Sequence, residues 1–379
     1  MGRGSPERLS YPVRDARGGA EHGGDGGRGR DPAHEESVRR RLEADPVTGG
    51  PPTAFLLHPS SSLHDTGWGH PEHQGRLRAL ASTVGRDMLA LHGSVEQVAP
   101  GDVDEAVLLS VHDPSQVEEV RRAVGRAAEK GAGVALDADT VVSAASWDAA
   151  LGSVAASITA AGAVMDGRHR NAFVAARPPG HHATPSRAMG FCLFNTVAVA
   201  ARWLQERGHA ERVLIVDWDV HHGNGTQDVF WEDPDVFYLS LHQSPHYPGT
   251  GAAGERGAGA GEGSTLNVPL PGGTSRDTYL ERYEAALDEA FERFTPDFVL
   301  VSSGFDCLAG DPLGGFLLEP EDLHAMTRSL VARADDACAG RVVACLEGGY
   351  APERVGRATV DVVRALAGVE PWPGREFTP

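Results

Sequence analysis

Asp217, Asp219 and His221 stand at alternate positions in the run Val213-Leu-Ile-Val-Asp217-Trp-Asp219-Val-His221-His222-Gly223-Asn224-Gly225. In extended backbone, side chains two residues apart share a face. Two carboxylates and an imidazole are therefore presented together, a set able to hold a divalent cation or to orient a polar ligand. The glycines that follow let the chain turn away tightly. Plainer roles suit the same residues: Asp-x-Asp at a strand end also caps helices or meets water, and His-His pairs occur in ordinary loops. Taken alone, the run leaves both readings open.

The elements that would position these groups are short and apolar. Residues 213–216 are β-branched or aliphatic and read as a buried strand. Three other strand-like runs end in the same manner. Residues 171–176 lead into Arg177-Pro178-Pro179-Gly180-His181-His182. Residues 298–301 lead through Ser302-Ser303-Gly304-Phe305 to Asp306, and residues 341–346 lead to Glu347-Gly348-Gly349-Tyr350. Helical segments such as 198–207 and 278–293 lie between them. Strands alternating with helices predict βαβ units and a parallel sheet, an α/β fold. Ligands of such sheets bind at the carboxyl ends of strands, near a switch in strand order. All four chemistry-bearing clusters fall at strand ends of this kind.

Arg177-Pro-Pro-Gly-His-His182, Asp217-Trp-Asp-Val-His-His-Gly-Asn-Gly225, Tyr247-Pro-Gly-Thr-Gly251, Gly304-Phe305-Asp306 with Gly310-Asp311-Pro312, and Glu347-Gly-Gly-Tyr350 occur in that order. Together they resemble the zinc-dependent histone deacetylase superfamily, nearest its class II and bacterial amidohydrolase branches and related to acetylpolyamine amidohydrolases. The resemblance spans about residues 54–370. It implies an arginase/deacetylase-like single domain, a central parallel sheet flanked by helices. It also implies metal ligation by Asp219, His221 and Asp306, with a position left open for water and the substrate carbonyl. Zn2+ is the metal of the family, and the donor set also suits Fe2+ or Co2+.

Further roles carry over residue by residue. His182 matches the principal base and acid, oriented here by Asn224 where class I relatives carry aspartate. His181 matches the charge-stabilising histidine paired with a buried carboxylate, Asp217. Tyr350 matches the tyrosine whose hydroxyl polarises the amide carbonyl. Gly190, Phe191 and Tyr247 match the walls of the acyl-chain tunnel, where two flat rings hold a thin aliphatic stem. Arg76 resembles an arginine below the metal, with a surface salt bridge as its alternative role. Asp217, Asp219, His221, Ser240 and Leu241 match a structural monovalent-cation site for K+, and Phe230, Asp233 and Val236 fall near a second.

The resemblance implies an amidohydrolase removing acyl groups, acetyl foremost, from lysine side chains of proteins or peptides. The alternative is the same chemistry on acylated polyamines or other small amines. Polyamine-selective relatives place a glutamate just after the Asp-Pro that follows the third ligand; here Leu313 stands there, which favours acyl-lysine. A non-catalytic binding protein on this fold would not need both histidines and Tyr350, and a dinuclear ureohydrolase would need further bridging ligands.

Composition fits this reading. A chain of 379 residues accommodates one large α/β domain, expected over residues 51–372. Residues 1–50 are rich in Gly, Arg, Glu, Asp and Pro and nearly free of aromatics, so they are expected to be a disordered extension or a misassigned translation start. They lack a signal peptide's apolar core. No stretch of about twenty apolar residues is read as a membrane span, and a cytoplasmic location is expected. Asp and Glu (53) outnumber Lys and Arg (34), for a net charge of −19. That balance argues against nucleic-acid binding and suits cationic substrates. Lys130 is the sole lysine, and with abundant Ala, Gly and Pro this bias points to a high-GC, bacterial genome. Cys192, Cys307, Cys338 and Cys345 show neither paired zinc spacing nor a disulfide framework, and are expected as buried thiols.

Overall fold

The structure is a computed structural model that describes residues 50–373. Its strands are β1 (Thr53–Leu56), β2 (Val95–Val98), β3 (Val134–Ala135), β4 (Val141–Val142), β5 (Ala172–Val174), β6 (Val213–Asp217), β7 (Val236–Gln243), β8 (Thr265–Leu270), β9 (Phe298–Ser303) and β10 (Val342–Leu346). Its helices are α1 (Gly75–Asp87), α2 (Pro114–Lys130), α3 (Ser146–Met165), α4 (Thr196–Glu206), α5 (Asn224–Val229), α6 (Arg276–Arg293), α7 (Pro320–Cys338) and α8 (Pro352–Leu366).

Eight strands form one sheet in the order β2-β1-β5-β10-β9-β6-β7-β8, and every neighbouring pair is parallel. β3 and β4 make a separate antiparallel pair. A parallel sheet needs cover on both faces, which is why its strands read as unbroken apolar runs. Alternate residues feed two cores. Leu214, Val216, Trp218 and Val220 sink into the core that includes residues of α1, α6, α7 and α8. Val213 and Ile215 face the core built with α2, α3 and α4. This alternation puts Trp218 on one side and leaves Asp217 and Asp219 to the other.

From β6 the chain builds β7 and β8 on one side, then returns to place β9 and β10 on the other. Strand order thus reverses between β6 and β9, and the loops leaving their carboxyl ends diverge to open a crevice. The α/β expectation holds, with local adjustments. β9 runs two residues past the apolar stretch, to Ser303, and α6 begins at Arg276, where the Ser275 hydroxyl caps the helix by accepting Thr278 N–H.

One expectation is corrected. Ser146–Met165 is long and apolar enough, by length and composition, to cross a membrane. Its alanines and glycines, interspersed with serines, disguise it in the sequence. In the fold it packs on α4, β5 and β10, and 67% of its apolar window is buried. The expectation for the N-terminal extension falls almost wholly on residues 1–49, outside the described residues.

Candidate active site and metal centre

Asp219 and His221 leave the end of β6, and Asp306 follows β9, the two strands that flank the reversal. Asp219 and Asp306 are fully buried and His221 is nearly so. One ligand atom from each lies within 4.8 Å of the others. His221 Nδ1 is 3.0 Å from Asp219 Oδ1 and 3.3 Å from Asp306 Oδ2. The remaining oxygens are held by main-chain donors: Asp219 Oδ2 accepts Gly348 N–H at 2.8 Å, and Asp306 Oδ1 accepts Val220 N–H at 2.9 Å. Asp306 Oδ2 is buried with no donor aligned on it. A buried carboxylate oxygen without a partner is costly, and one aimed at a carboxylate and an imidazole fits a divalent cation. Gly348 permits this closeness, because a Cβ there would lie 2.0 Å from Asp306 Oδ2 and 2.6 Å from Asp219 Oδ2.

A second buried trio, His181, Cys192 and Glu347, has similar spacing but does not fit an ion. Glu347 Oε2 already accepts Gly180 N–H at 2.6 Å and His181 N–H at 3.2 Å, and Oε1 accepts the Ser302 hydroxyl at 3.1 Å. Burial pushes the Cys192 thiol well above its ordinary pKa, so it stays a thiol, donating to Gly190 O at 3.3 Å.

The tandem histidines follow β5 and sit in unlike surroundings. His181 Nδ1 is 3.0 Å from Asp217 Oδ2, and its Nε2 is 3.8 Å from Asp219 Oδ1. Burial pulls its pKa down, but Asp219 and Asp217 outweigh burial and raise it to about 10. His182 Nδ1 meets only a neutral amide, Asn224 Oδ1, at 2.8 Å. Burial, then the neighbouring His181 and His221, drive its pKa well below 6.5. One ring is thus held protonated and the other neutral, the separation expected of charge stabiliser and base. A base works only when neutral, so His182 keeps this capacity above its depressed pKa and loses it as pH falls through that value. In Asn224→Asp a carboxylate would favour the imidazolium. The acid limb of a kcat/KM–pH profile, measured at saturating metal, should move to higher pH by about one unit or more.

Tyr350 lies after β10, and its ring meets Phe191 edge-on, with centroids 5.7 Å apart. Tyr247 packs edge-on against His182 at 5.1 Å. A cavity of about 410 Å3 is lined by His182, His221, Phe191, Tyr247, Leu313 and Tyr350, and Gly190 forms part of its wall. Gly190 has no room for a side chain, since a Cβ would come 2.5 Å from the His182 ring. The structure therefore brings His182, His221, Tyr350 and the predicted wall residues to one cavity, with Asp219 and Asp306 buried against His221 and His181 against His182. Of the residues proposed for K+, Asp217, Asp219, His221 and Ser240 are all buried. Asp217 pairs in register with Ser240, Leu241 is buried in the core, and Asp233 is engaged with the Arg202 guanidinium.

The surface salt bridge considered for Arg76 is wrong. Arg76 is fully buried; it donates to Glu72 Oε1 at 3.0 Å and to the carbonyls of Glu347 and Gly349, holding the loop that carries Tyr350. Its guanidinium lies 4.9 Å from the Tyr350 ring centroid. Other supporting residues were missed. Tyr238 on β7 donates its hydroxyl to Asp217 Oδ2 at 3.0 Å. His246 stacks on His221, with centroids 4.9 Å apart. Glu347 and His246 lie inside the motifs or beside them, whereas nothing in the sequence near Tyr238 points to it.

The comparisons with known proteins agree with this geometry. Residues 70–366 match the histone deacetylase domain family. Histone deacetylase 10, chloroplastic, of Oryza sativa subsp. japonica is 37% identical over 311 residues, covering 79% of this chain and 70% of the rice protein. A probable deacetylase of Archaeoglobus fulgidus is 36% identical over 319 residues, covering 84% and 87% respectively. The crystal structure of the HDA15 HD domain superposes with a TM-score of 0.77 at 35% identity, covering 86% of this chain and 90% of that one. With the family's domain matched across most of the described fold and its neighbours similar in both sequence and structure, the chain belongs to the histone deacetylase family.

Proposed function

We propose that this chain hydrolyses the amide of acyl-lysine side chains in proteins or peptides, with acetyl as the acyl group. The observation that carries this reading is the buried Asp306 Oδ2, with no donor aligned on it, beside Asp219 and His221, where His221 lines a cavity together with His182 and Tyr350. Asp219, His221 and Asp306 would hold the metal, zinc by family habit, with Fe2+ or Co2+ also suited to the donors. A divalent cation there supplies Lewis-acid polarisation of the carbonyl and lowers the pKa of water.

The remaining work belongs to side chains. His182, neutral, takes a proton from the attacking water and later returns one to the departing amine. His181, kept charged by Asp217 and Asp219, stabilises negative charge as it develops. The Tyr350 hydroxyl donates to the carbonyl oxygen, a bond that strengthens as that oxygen becomes an oxyanion. Phe191 and Tyr247 enclose the aliphatic stem, where flat rings give contact at little entropic cost. A K+ ion at Asp217, Asp219, His221, Ser240 and Leu241 would be structural.

Leu313 separates acyl-lysine from an acylated polyamine. It lines the cavity and itself offers no charge to offset the water that a remote ammonium must lose. The wild type should therefore show higher kcat/KM for an acetyl-lysine peptide than for acetylspermidine. Leu313→Glu should shift that ratio toward the polyamine by about tenfold, equivalent to about 1.4 kcal/mol of transition-state binding. A wild-type preference for acetylspermidine would replace this reading with the polyamine one.

A further inference from the structure

Asp311 lies in the loop between Asp306 and α7 and is 7% exposed. Its two oxygens serve different loops. Oδ2 accepts the Tyr350 N–H at 2.6 Å, and Oδ1 accepts the Leu313 N–H at 2.9 Å. Leu313 O in turn accepts from His246 Nε2 at 2.8 Å, which fastens the same short loop to the segment carrying Tyr247. Around Tyr350, Gly348 N–H goes to Asp219 Oδ2 at 2.8 Å, and the carbonyls of Glu347 and Gly349 to Arg76. Asp311 is the side chain that takes the main-chain N–H of Tyr350 itself.

We propose that Asp311 is a positioning residue: through the Tyr350 N–H it sets where the Tyr350 hydroxyl reaches over the substrate carbonyl. This rests on the reading of Tyr350 as the carbonyl-polarising donor. A carboxylate suits the task because both of its oxygens accept, and the two N–H groups here approach separate oxygens. Charge-assisted bonds of this kind are short and strong. An asparagine supplies one accepting oxygen, and its NH2 group would confront the other N–H. A displacement of about 1 Å at a reacting group can cost about a hundredfold in rate.

The test is a double-mutant cycle on the metal-loaded full chain, with Asp311→Asn, Tyr350→Phe and the double variant assayed for kcat, KM and bound metal. Asp311→Asn alone should lower kcat about tenfold to a hundredfold, with KM nearly unchanged and metal content intact. In the Tyr350→Phe background it should cost less than about twofold more, because no hydroxyl remains to be positioned. Losses that multiply would overturn the proposal, as would near-normal kcat in Asp311→Asn or loss of its metal, which would make Asp311 a support of the metal ligands. Near-normal kcat in Tyr350→Phe alone would remove the donor role of Tyr350, and the positioning role with it. If Asp311→Asn does not accumulate as folded protein, Asp311→Ser, whose hydroxyl oxygen still accepts one bond, runs the same cycle with the same outcomes.

Discussion

Replacing His221 by alanine, or Asp306 by asparagine, should abolish stoichiometric metal binding and lower amide hydrolysis by about a thousandfold or more. A Lewis acid contributes several kcal/mol to stabilising a developing oxyanion, and each 1.36 kcal/mol is tenfold in rate. The two substitutions act differently on the site. His221→Ala removes the only imidazole among the three close ligand atoms. Asp306→Asn keeps the shape and one accepting oxygen, which can remain with Val220 N–H; the atom it removes from service is the unpartnered Oδ2. The folded core should tolerate Asp306→Asn, since an isolated buried carboxylate is itself destabilising: burial, then the neighbouring Asp219, raises the Asp306 pKa to about 7. Metal analysis by mass spectrometry, together with peptide turnover, reads both effects. Full metal occupancy with full turnover in both variants would place the metal elsewhere.

Tyr350→Phe is expected to give the second large effect, a fall in kcat of about a hundredfold to a thousandfold, with metal content preserved. The ring remains, so the edge contact with Phe191 and the wall of the cavity survive; only the donor is lost. Because the hydroxyl acts on charge that appears in the transition state, the loss should fall on kcat and kcat/KM alike and leave KM little changed. A rise in KM at normal kcat would instead make Tyr350 a binding residue.

The strand-end clusters were legible in the sequence because their signal is local. A buried strand shows its apolar run, the period of two puts Asp217, Asp219 and His221 on one side, and glycines mark where the chain turns. The parallel sheet followed from strands alternating with helices. Less legible was whatever depends on partners distant along the chain. The sequence leaves Arg76 open between a place below the metal and a surface salt bridge, because its partners, the carbonyls of Glu347 and Gly349, lie far along the chain. Tyr238 stands beside Phe237 in β7, and its bond to Asp217 exists only because β6 and β7 pair in register. Asp311 could be seen as part of a motif, but its division between Tyr350 and Leu313 needed the loops assembled. Ser146–Met165 misled in another way: small residues lower the apparent hydrophobicity of a helix that is in fact buried for two-thirds of its apolar window (67%), where they allow close packing on the sheet.

The most direct measurement is turnover of an acetyl-lysine peptide by purified, metal-stripped protein as zinc is returned in measured amounts. The rate should rise from near zero in proportion to bound metal and level off at about one ion per chain, as expected for a single site with three protein ligands; His221→Ala should stay flat across the same titration. Full turnover in the stripped protein, or none toward any acylated amine with the site filled, would contradict a metal-dependent amidohydrolase at Asp219, His221 and Asp306.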